Sequence, residues 1–278
     1  MSMDQHRIAA ETIRLLAKMR AARPLVQNIT NFVSMDIAAN VLLAAGAAPA
    51  MVHAPEETPE FVRRASALVI NTGTLSLPWA QSMDVATTAA RMHGTPWVLD
   101  PVGAGGTQFR DQTIQSLLRH RPAIIRGNAS EIMAVARACG LMREDDPAAR
   151  PRGVDSVHST AEAELSARKL ARHCFCVVAA TGAVDVVTDG ERLVRLANGS
   201  PLMERVTALG CGLTSLIGAF AGLGEDPFLA AIAAIAVYGV AGDMAAEIAS
   251  RPGSFRTAFI DALDAIGDTD IRMRLRSS

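Results

Sequence analysis

The sequence is poor in aromatic residues and has no excess of charge of either sign. Phe, Trp and Tyr make up 4% of its 278 residues, and 27 Lys and Arg stand against 28 Asp and Glu, which gives a formal net charge of −1. Proteins that bind nucleic acids present a basic surface or a platform of aromatic side chains. We therefore expect no nucleic-acid partner.

Signals for export, membrane insertion and zinc binding are also lacking. The N-terminal segment mixes charged and apolar residues at helical spacing, without the apolar run of a secretory leader. The most apolar stretch is free of charge only over residues 228–242, which is too short for a membrane span and predicts a buried helix. The cysteines form no CxxC pair, so we expect reduced thiols in a cytoplasmic protein with no membrane partner.

Apolar residues are plentiful, and they are distributed in two alternating patterns. Hydrophobic residues amount to 50%, which is enough for a substantial core and excludes disorder. Strands are predicted at residues 48–53, 67–71, 97–101, 123–126, 176–181 and 184–188. Helices are predicted at residues 34–45, 56–65, 78–93, 113–119, 129–139 and 160–173, and almost everywhere after residue 207. This alternation predicts an α/β fold, with a mainly parallel central sheet and helices on both faces.

Two further segments have a local signature. Asp189-Gly190 suits a type I′ turn and predicts a hairpin between residues 184–188 and 192–196. Residues 141–158 are rich in Pro, Arg and Asp, which is typical of a surface loop. The sequence contains neither an internal repeat nor a linker, so we expect a single domain over residues 1–278.

Polar or glycine-rich turns follow four of the predicted strands. They begin at Asn71, Asp100, Arg126 and Thr181. Ligands of open α/β sheets bind at the carboxyl ends of the strands. We therefore expect these four turns to converge on one crevice.

The segment over residues 206–215 is rich in small residues and leads into a long apolar helix. The free amides and the dipole of such a helix start bind anions, and we expect phosphate as the ligand. The alternative is an ordinary helix start with Thr207 as its N-cap. A P-loop is excluded, because no GxxxxGK[ST] occurs.

Cys211 falls in the first turn of that predicted helix. A helix N-terminus lowers the pKa of a thiol, which would make Cys211 reactive. The alternative is a small buried core residue, the commoner fate of a free cysteine.

Asp100 and the residues Asn128 to Glu131 form a second candidate constellation. Two carboxylates at neighbouring strand ends can share a hydrated Mg²⁺, which takes one or two protein carboxylates. Arg126 can neutralise a phosphate as a planar donor. The alternatives are a turn cap for Asp100, helix-dipole complementation for Glu131, and a surface salt bridge for Arg126.

The order of the motifs resembles that of the hydroxyethylthiazole kinases, which belong to the ribokinase-like superfamily of three-layer α/β enzymes. The resemblance spans roughly residues 24–265 and rests on PLVQNITNFV, AANVLLAAGAAPAM, NTGTL, LDPVGAGG, AIIRGNASEI, GVDS, AATGAVDVVTDG, VTALGC and RPGSF. An NxxE followed by a distant glycine-rich anion hole is general to the superfamily. The long N-terminal motif, RGNASE and the cysteine of the anion-hole loop are specific to the thiazole kinases.

The resemblance implies a role for individual residues. The thiazole pocket would contain Met51, Asn31, Gly73, Ala208 and Gly210. ATP would be bound by Arg126, Thr181 and Asn128, and Mg²⁺ by Asp100 and Glu131. Cys211 would be the catalytic residue, near the attacking hydroxyl whose proton it accepts, where sugar kinases of the superfamily place an Asp. The family also implies a homotrimer with sites between subunits.

The sequence departs from the family pattern in the anion-hole loop. The usual T-G-A/T-G-C is replaced by Thr207-Ala208-Leu209-Gly210-Cys211. If the residue at 208 requires a positive φ, Ala208 strains the loop, although its amide stays available. Leu209 is bulkier than usual and narrows the pocket.

The resemblance implies ATP-dependent phosphorylation of the hydroxyl of 4-methyl-5-(2-hydroxyethyl)thiazole, a step of thiamine salvage. Three other classes stay open on the residues alone. One is a sugar, pyrimidine or vitamin kinase, or a nucleotide-hydrate dehydratase, although these favour Asp at position 211. Another is a cysteine hydrolase, which needs a partner His that no motif supplies. The third is a non-catalytic nucleotide-binding or assembly protein.

Overall fold

Eight strands form one sheet in the computed structural model, which describes residues 3–142 and 160–278. The order across the sheet is β2-β1-β3-β4-β5-β6-β7-β8. The first six strands along this order run parallel, and β7 and β8 are antiparallel additions at one edge. The strands are β1 (Leu25–Ile29), β2 (Ala48–Ala50), β3 (Ala67–Asn71), β4 (Trp97–Asp100), β5 (Ile124–Asn128), β6 (Val177–Thr181), β7 (Asp185–Thr188) and β8 (Leu193–Leu196).

Helices cover both faces of this sheet, as the alternating pattern predicts. Helices α1, α2, α8, α9 and α10 pack together on one face, α3 to α7 line the other, and α11 packs against α1 and α9. They are α1 (Gln5–Ala22), α2 (Met35–Ala45), α3 (Thr58–Val62), α4 (Leu77–His93), α5 (Gln108–Leu118), α6 (Ala129–Ala138), α7 (Thr160–Cys174), α8 (Leu209–Ala221), α9 (Pro227–Ile248), α10 (Pro252–Ala265) and α11 (Asp268–Arg274).

Alternate residues of each central strand belong to two separate hydrophobic cores, one on each face of the sheet. In β3, the buried Val69 belongs to the core under α8 and α9, whereas Leu68 and Ile70 belong to the core on the opposite face. Side chains of a strand alternate between faces, so a strand covered on both sides is apolar throughout. This is why the central strands are continuous hydrophobic runs.

Helix α9 is long and apolar enough to cross a membrane by length and composition. Within the protein it is a core helix, because 83% of its most apolar window is buried. It packs against α1, α8 and α10. The expectation of a buried helix at this position is therefore confirmed.

All predicted strands occur, and one further strand was not predicted. This is β1, which carries two polar residues, Gln27 and Asn28, although it is buried. Gln27 Nε2 donates to the carbonyl of Val52, and Asn28 Oδ1 accepts from Ser215 Oγ. Internal hydrogen bonds thus allow polar residues in a central strand. The predicted loop at residues 141–158 lies outside the described residues from position 143 onward.

The hairpin of β7 and β8 is confirmed, but its predicted turn type is wrong. Thr188 pairs with Leu193, so four residues link the strands. Of these four, Gly190 alone has a positive φ, whereas a type I′ turn needs two such residues at its centre. Asp189 Oδ1 accepts from the amides of Glu191 and Arg192, so its side chain closes a longer loop.

Candidate active site

Four neighbouring parallel strands end side by side at one edge of the sheet. Asn71 at the end of β3 is in register with Asp100 at the end of β4. Asn128 at the end of β5 is in register with Thr181 at the end of β6. The expected convergence of the polar strand ends is therefore confirmed.

Helix α8 begins at this edge without a side-chain cap. Its N-cap is Ala208 and not Thr207, so the Thr207 alternative is wrong. Tyr238 donates its hydroxyl to the carbonyl of Leu209 at 2.7 Å and fixes the first turn from the core side. A helix start without a side-chain acceptor leaves its first amides to an external anion.

Ala208 has φ 62° and ψ 12°, the left-handed conformation. The positive φ that the sequence made the condition for strain is therefore present at Ala208. For a residue with a β-carbon this conformation costs about 1–2 kcal/mol. Leu209, the next residue, is buried in the core under α8 and does not line the pocket, so the expectation that it narrows the pocket is wrong.

Arg126 lies at the centre of the site. Its Nη2 donates to Thr181 Oγ1 at 2.6 Å, and its Nη1 lies 4.0 Å from Asp100 Oδ1. On the α8 side, a β-carbon built on Gly210 would lie 2.9 Å from Nη1. Because the side chain is 11% exposed, the alternative of a surface salt bridge is wrong.

Asp100 is fully buried and uses its two oxygens unequally. Oδ2 accepts from Asn71 Nδ2 at 2.7 Å and from Thr214 Oγ1 at 2.8 Å. Oδ1 accepts no hydrogen bond from the residues that the structure describes. Burial raises the pKa of Asp100 to about 7, against the opposing effect of the Arg126 charge.

Glu131 and Asn128 form a capping box at the start of α6. Glu131 Oε2 accepts from the Asn128 amide, and Asn128 Oδ1 accepts from the Glu131 amide. Glu131 Oε1 accepts from the amide of Gly103, in the loop after β4. Glu131 therefore ties that loop to α6, which is more than complementing a helix dipole, and each of its oxygens keeps a lone pair for a further partner.

Cys211 is half-buried, and its sulfur lies 3.6 Å from Asn31 Nδ2. Burial raises the pKa of the Cys211 thiol to about 11, the charge of Asp100 raises it further, and Arg126 opposes both. The expected lowering of this pKa is therefore wrong, because burial outweighs the helix N-terminus. Near neutral pH Cys211 is a thiol and not a thiolate.

Asn31 and Gly73 pack directly against each other. A β-carbon on Gly73 would lie 2.5 Å from Asn31 Nδ2, so only glycine fits here. Asn31 Oδ1 accepts from the amides of Val33 and Ser34, which orients its Nδ2 toward Cys211. Met51 follows the edge strand β2, so β1 separates its strand from that of Gly73.

Thr214 and Arg110 were not predicted from the sequence, and Asn71 was expected at the crevice only as a strand end, without a role of its own. Asn71 and Thr214 hold Asp100. Arg110 donates to the carbonyls of Thr72, Gly73 and Val102 and so joins the loops after β3 and β4. The polar strand end is a weak sequence signal for Asn71, and a hydroxyl one helical turn after Gly210 is a weak signal for Thr214. Arg110 gives no signal, because its partners are backbone carbonyls.

The comparisons with known proteins identify the class of this fold. A ribokinase-like superfamily protein from Enterococcus faecalis superposes with a TM-score of 0.61 over 90% of this chain and 89% of its own, at 11% identity, which shows a ribokinase-like fold. The family model described as the hydroxyethylthiazole kinase family matches residues 16–268. The chain belongs to this family of kinases, whose reaction is the phosphorylation of the thiazole alcohol in thiamine salvage.

Two relatives support this assignment over nearly the whole chain. A hydroxyethylthiazole kinase of Rhizobium etli is 54% identical over 265 residues, which are 95% of this chain and 99% of the relative. The structure of a hydroxyethylthiazole kinase from Pyrococcus horikoshii has a TM-score of 0.88 at 40% identity and covers 96% of this chain and 98% of its own. The hydrolase, dehydratase and non-catalytic alternatives are therefore set aside.

Proposed function

We propose that this chain transfers the γ-phosphoryl group of ATP to the primary hydroxyl of 4-methyl-5-(2-hydroxyethyl)thiazole at the carboxyl edge of the sheet, in the cytoplasm. The observation that carries the proposal is the position of Arg126. It lies between Thr181, Asp100 and the first turn of α8, with a guanidinium that is buried on the protein side. A planar cation beside free helix amides suits a polyphosphate.

ATP binds along Arg126, Thr181 and Asn128. Arg126 and Thr181 are already hydrogen-bonded, so the guanidinium is oriented before the phosphates arrive. Asn128 is held by the capping box at the start of α6. A positioned cation is worth more than a mobile one, because it needs no reorganisation during the reaction.

The transfer takes place at the start of α8. The alcohol oxygen bonds to the γ-phosphorus while the bond to the bridging oxygen breaks, and ADP leaves with that electron pair. The amides from Ala208 to Cys211 hold the charge on the transferred group. In a loose transition state the hydroxyl proton leaves late, so a phosphoryl oxygen takes it. Cys211 contacts the alcohol as a neutral thiol, which replaces the proton-acceptor role suggested by the family resemblance.

The carboxylates at this edge fit a bound Mg²⁺. Oδ1 of Asp100 is buried without a hydrogen-bond partner among the described residues. The described residues contain no cluster of three metal-binding side chains, but Mg²⁺ takes only one or two carboxylates and keeps waters and phosphate oxygens as its other ligands. Asp100 and Glu131 would hold the ion. When bound, it would neutralise the charge that develops on the phosphates.

The thiazole pocket is formed by Met51, Asn31, Gly73, Ala208 and Gly210. The loop that carries Asn31 also exposes Phe32 by 65% and Val33 by 56%. Exposed apolar side chains next to a site are typical of a protein interface. Their exposure supports a homotrimer in which a neighbouring subunit covers the pocket.

The decisive assay measures ADP release with the thiazole alcohol, a sugar, a pyrimidine alcohol and a vitamin alcohol in parallel. We expect turnover with the thiazole alcohol, dependence on Mg²⁺, and a thiazole phosphate detected by mass spectrometry. Light scattering at the assay concentration is expected to give the mass of a trimer. Phosphorylation of another alcohol in place of the thiazole would contradict the substrate, and a fully active monomer would contradict the assembly.

A further inference from the structure

The side chain of Asn71 forms hydrogen bonds to both the proposed phosphate side and the proposed thiazole side of the site. The residue is 1% exposed, at the end of β3. Its Nδ2 donates to Asp100 Oδ2 at 2.7 Å. Its Oδ1 accepts from Asn31 Nδ2 at 2.8 Å and from the Gly73 amide at 2.9 Å. These partners belong to the phosphate side and to the thiazole side of the site, and the Asn71 side chain also interacts with the Cys211 thiol.

The orientation of the Asn71 amide is fixed by its partners. The Gly73 amide can only donate, so it must face the amide oxygen, whereas an ionised Asp100 carboxylate can only accept, so it must face the nitrogen. Reversing the amide would place an N–H against an N–H and an oxygen against a carboxylate. The Nδ2 donor of Asn71 is therefore fixed toward Asp100, and its Oδ1 acceptor is fixed toward Asn31 and Gly73.

On the phosphate side, Asn71 acts together with Thr214. Both donate to Oδ2 of Asp100, and neither donates to Oδ1. The two donors saturate one oxygen and leave the other for Arg126, whose Nη1 lies 4.0 Å away. The carboxylate therefore presents one defined oxygen to the phosphate cluster.

On the thiazole side, Asn71 holds Asn31. The Asn31 nitrogen has two hydrogens, of which one points to Asn71 Oδ1 and the other to Cys211 Sγ. The amide of Asn31 is also fixed at its oxygen by Val33 and Ser34. The Asn71 side chain therefore holds both the Asn31 wall of the thiazole pocket and the Asp100 carboxylate in position.

We propose that Asn71 is a positioning residue that aligns the Asp100 carboxylate for phosphoryl transfer and fixes the Asn31 wall of the acceptor pocket with the same amide. This inference rests on the proposed function. Its two arms are separable, because the nitrogen of Asn71 serves Asp100 and the Cys211 thiol, whereas the oxygen serves Asn31 and Gly73. A variant that changes only one atom of the amide tests one arm.

The key variant is Asn71→Asp, which keeps the oxygen and replaces the donor by a second acceptor. Asp100 then faces a carboxylate, and the pair must share a proton or separate. Losing a hydrogen bond to a charged group predicts a fall in kcat of roughly 10- to 100-fold. The KM and the equilibrium Kd for the thiazole alcohol should change by less than about threefold, because the Asn31 arm is intact.

Thr214 supplies a second, independent test of the same arm. Thr214→Val removes the other donor to Oδ2 without touching Asn31, so kcat should fall while the thiazole Kd is kept. Thr214→Ser restores the hydroxyl and should recover most of kcat. The matched control is Thr87→Val, in which the same substitution is made at a fully buried helical threonine of α4 whose hydroxyl bonds to the carbonyls of Met83 and Asp84.

The outcomes separate the inference from the proposed function. Failure of the parent protein to phosphorylate the thiazole alcohol refutes the function. With an active parent, kcat values of Asn71→Asp and Thr214→Val within about twofold of Thr87→Val refute the positioning role. Equal losses in kcat and in thiazole binding would also refute it, because they indicate general damage. If Asn71→Asp does not fold, a kcat of Thr214→Val within about twofold of Thr87→Val still refutes the alignment of Asp100 through its Oδ2 donors.

Discussion

Gly210 and Arg126 approach each other so closely that a β-carbon on Gly210 would lie 2.9 Å from Nη1 of Arg126 and 3.1 Å from Nη2. The guanidinium is thus pressed against the backbone of the first turn of α8. The guanidinium and the free amides of α8, which we propose bind the phosphates, therefore lie side by side, and the absence of a side chain at Gly210 permits this contact.

The first prediction follows from this contact. Gly210→Ala should push the Arg126 guanidinium away from Thr181 and lower kcat/KM for ATP by about 10²-fold, the typical cost of displacing a catalytic group by an ångström. Steady-state kinetics with varied ATP measures the effect. Gly253→Ala in α10 is the matched control, because its β-carbon would meet no atom within 4 Å. Equal activity of the two variants would contradict the contact.

The second prediction concerns the strain at Ala208. Ala208→Gly removes the cost of a left-handed residue with a β-carbon, offset in part by the greater flexibility of glycine in the unfolded chain. The free energy of unfolding should rise by up to about 1 kcal/mol, as measured by denaturant titration. Gly94→Ala is the inverse control, since Gly94 has φ 69° and open space around it, and it should lose a similar amount. A destabilised Ala208→Gly would contradict the strain.

The third prediction concerns the chemistry of Cys211. Because the pKa of its thiol is raised to about 11, alkylation of Cys211 by iodoacetamide should be slow at pH 7 and accelerate continuously up to pH 10. Mass spectrometry of the labelled peptide measures the rate. Cys211→Ala should retain activity within roughly tenfold to a hundredfold of the parent, since a neutral thiol supplies at most weak proton-transfer assistance. A dead Cys211→Ala that still binds ATP, together with a trapped thiol adduct, would indicate a covalent role instead.

The fourth prediction concerns the buried carboxylate of Asp100 in metal-free protein. Burial raises the pKa of Asp100 to about 7, so its protonated form stabilises the fold. This stability is fully present below the ordinary pKa of an aspartate and is lost as the pH rises through 7. In the presence of EDTA, Asp100→Asn, which stays neutral, should therefore differ from the parent by only about 1 kcal/mol at pH 4.5.

At pH 8 the two proteins should separate. Asp100→Asn should be more stable than the parent by roughly 2–4 kcal/mol, and it should lack kinase activity. Thermal melts across this pH range measure the difference. A constant difference in melting temperature from pH 4.5 to pH 8 would show that Asp100 does not titrate in this range.

Part of the site was predictable because it follows from chain-local patterns. Asp100 and Asn128 stand directly after apolar strand runs, and parallel strands bring their ends to one edge. The polar strand β1 was missed because the partners of its buried amides, Val52 and Ser215, are distant in sequence. The direction of the Cys211 pKa was wrong for a related reason, since the depth of burial around a helix start is a property of the packing.

The sequence also does not show the register in which neighbouring strands pair. Asn71 and Asp100 are separated by 29 positions and become neighbours only because β3 and β4 pair without an offset. A one-residue slip would send Asn71 to the other face of the sheet. The role of Asn71 therefore becomes apparent only when both strands are in place.

The burial of α9 has a consequence for the synthesis of this protein. The helix leaves the ribosome before α10 and α11, which both pack against it in the finished fold. Until they arrive, a nascent chain displays an apolar segment that resembles a membrane anchor in length and composition. Chains that terminate before Pro252 keep that segment uncovered, which makes them natural clients of chaperones and prone to aggregate.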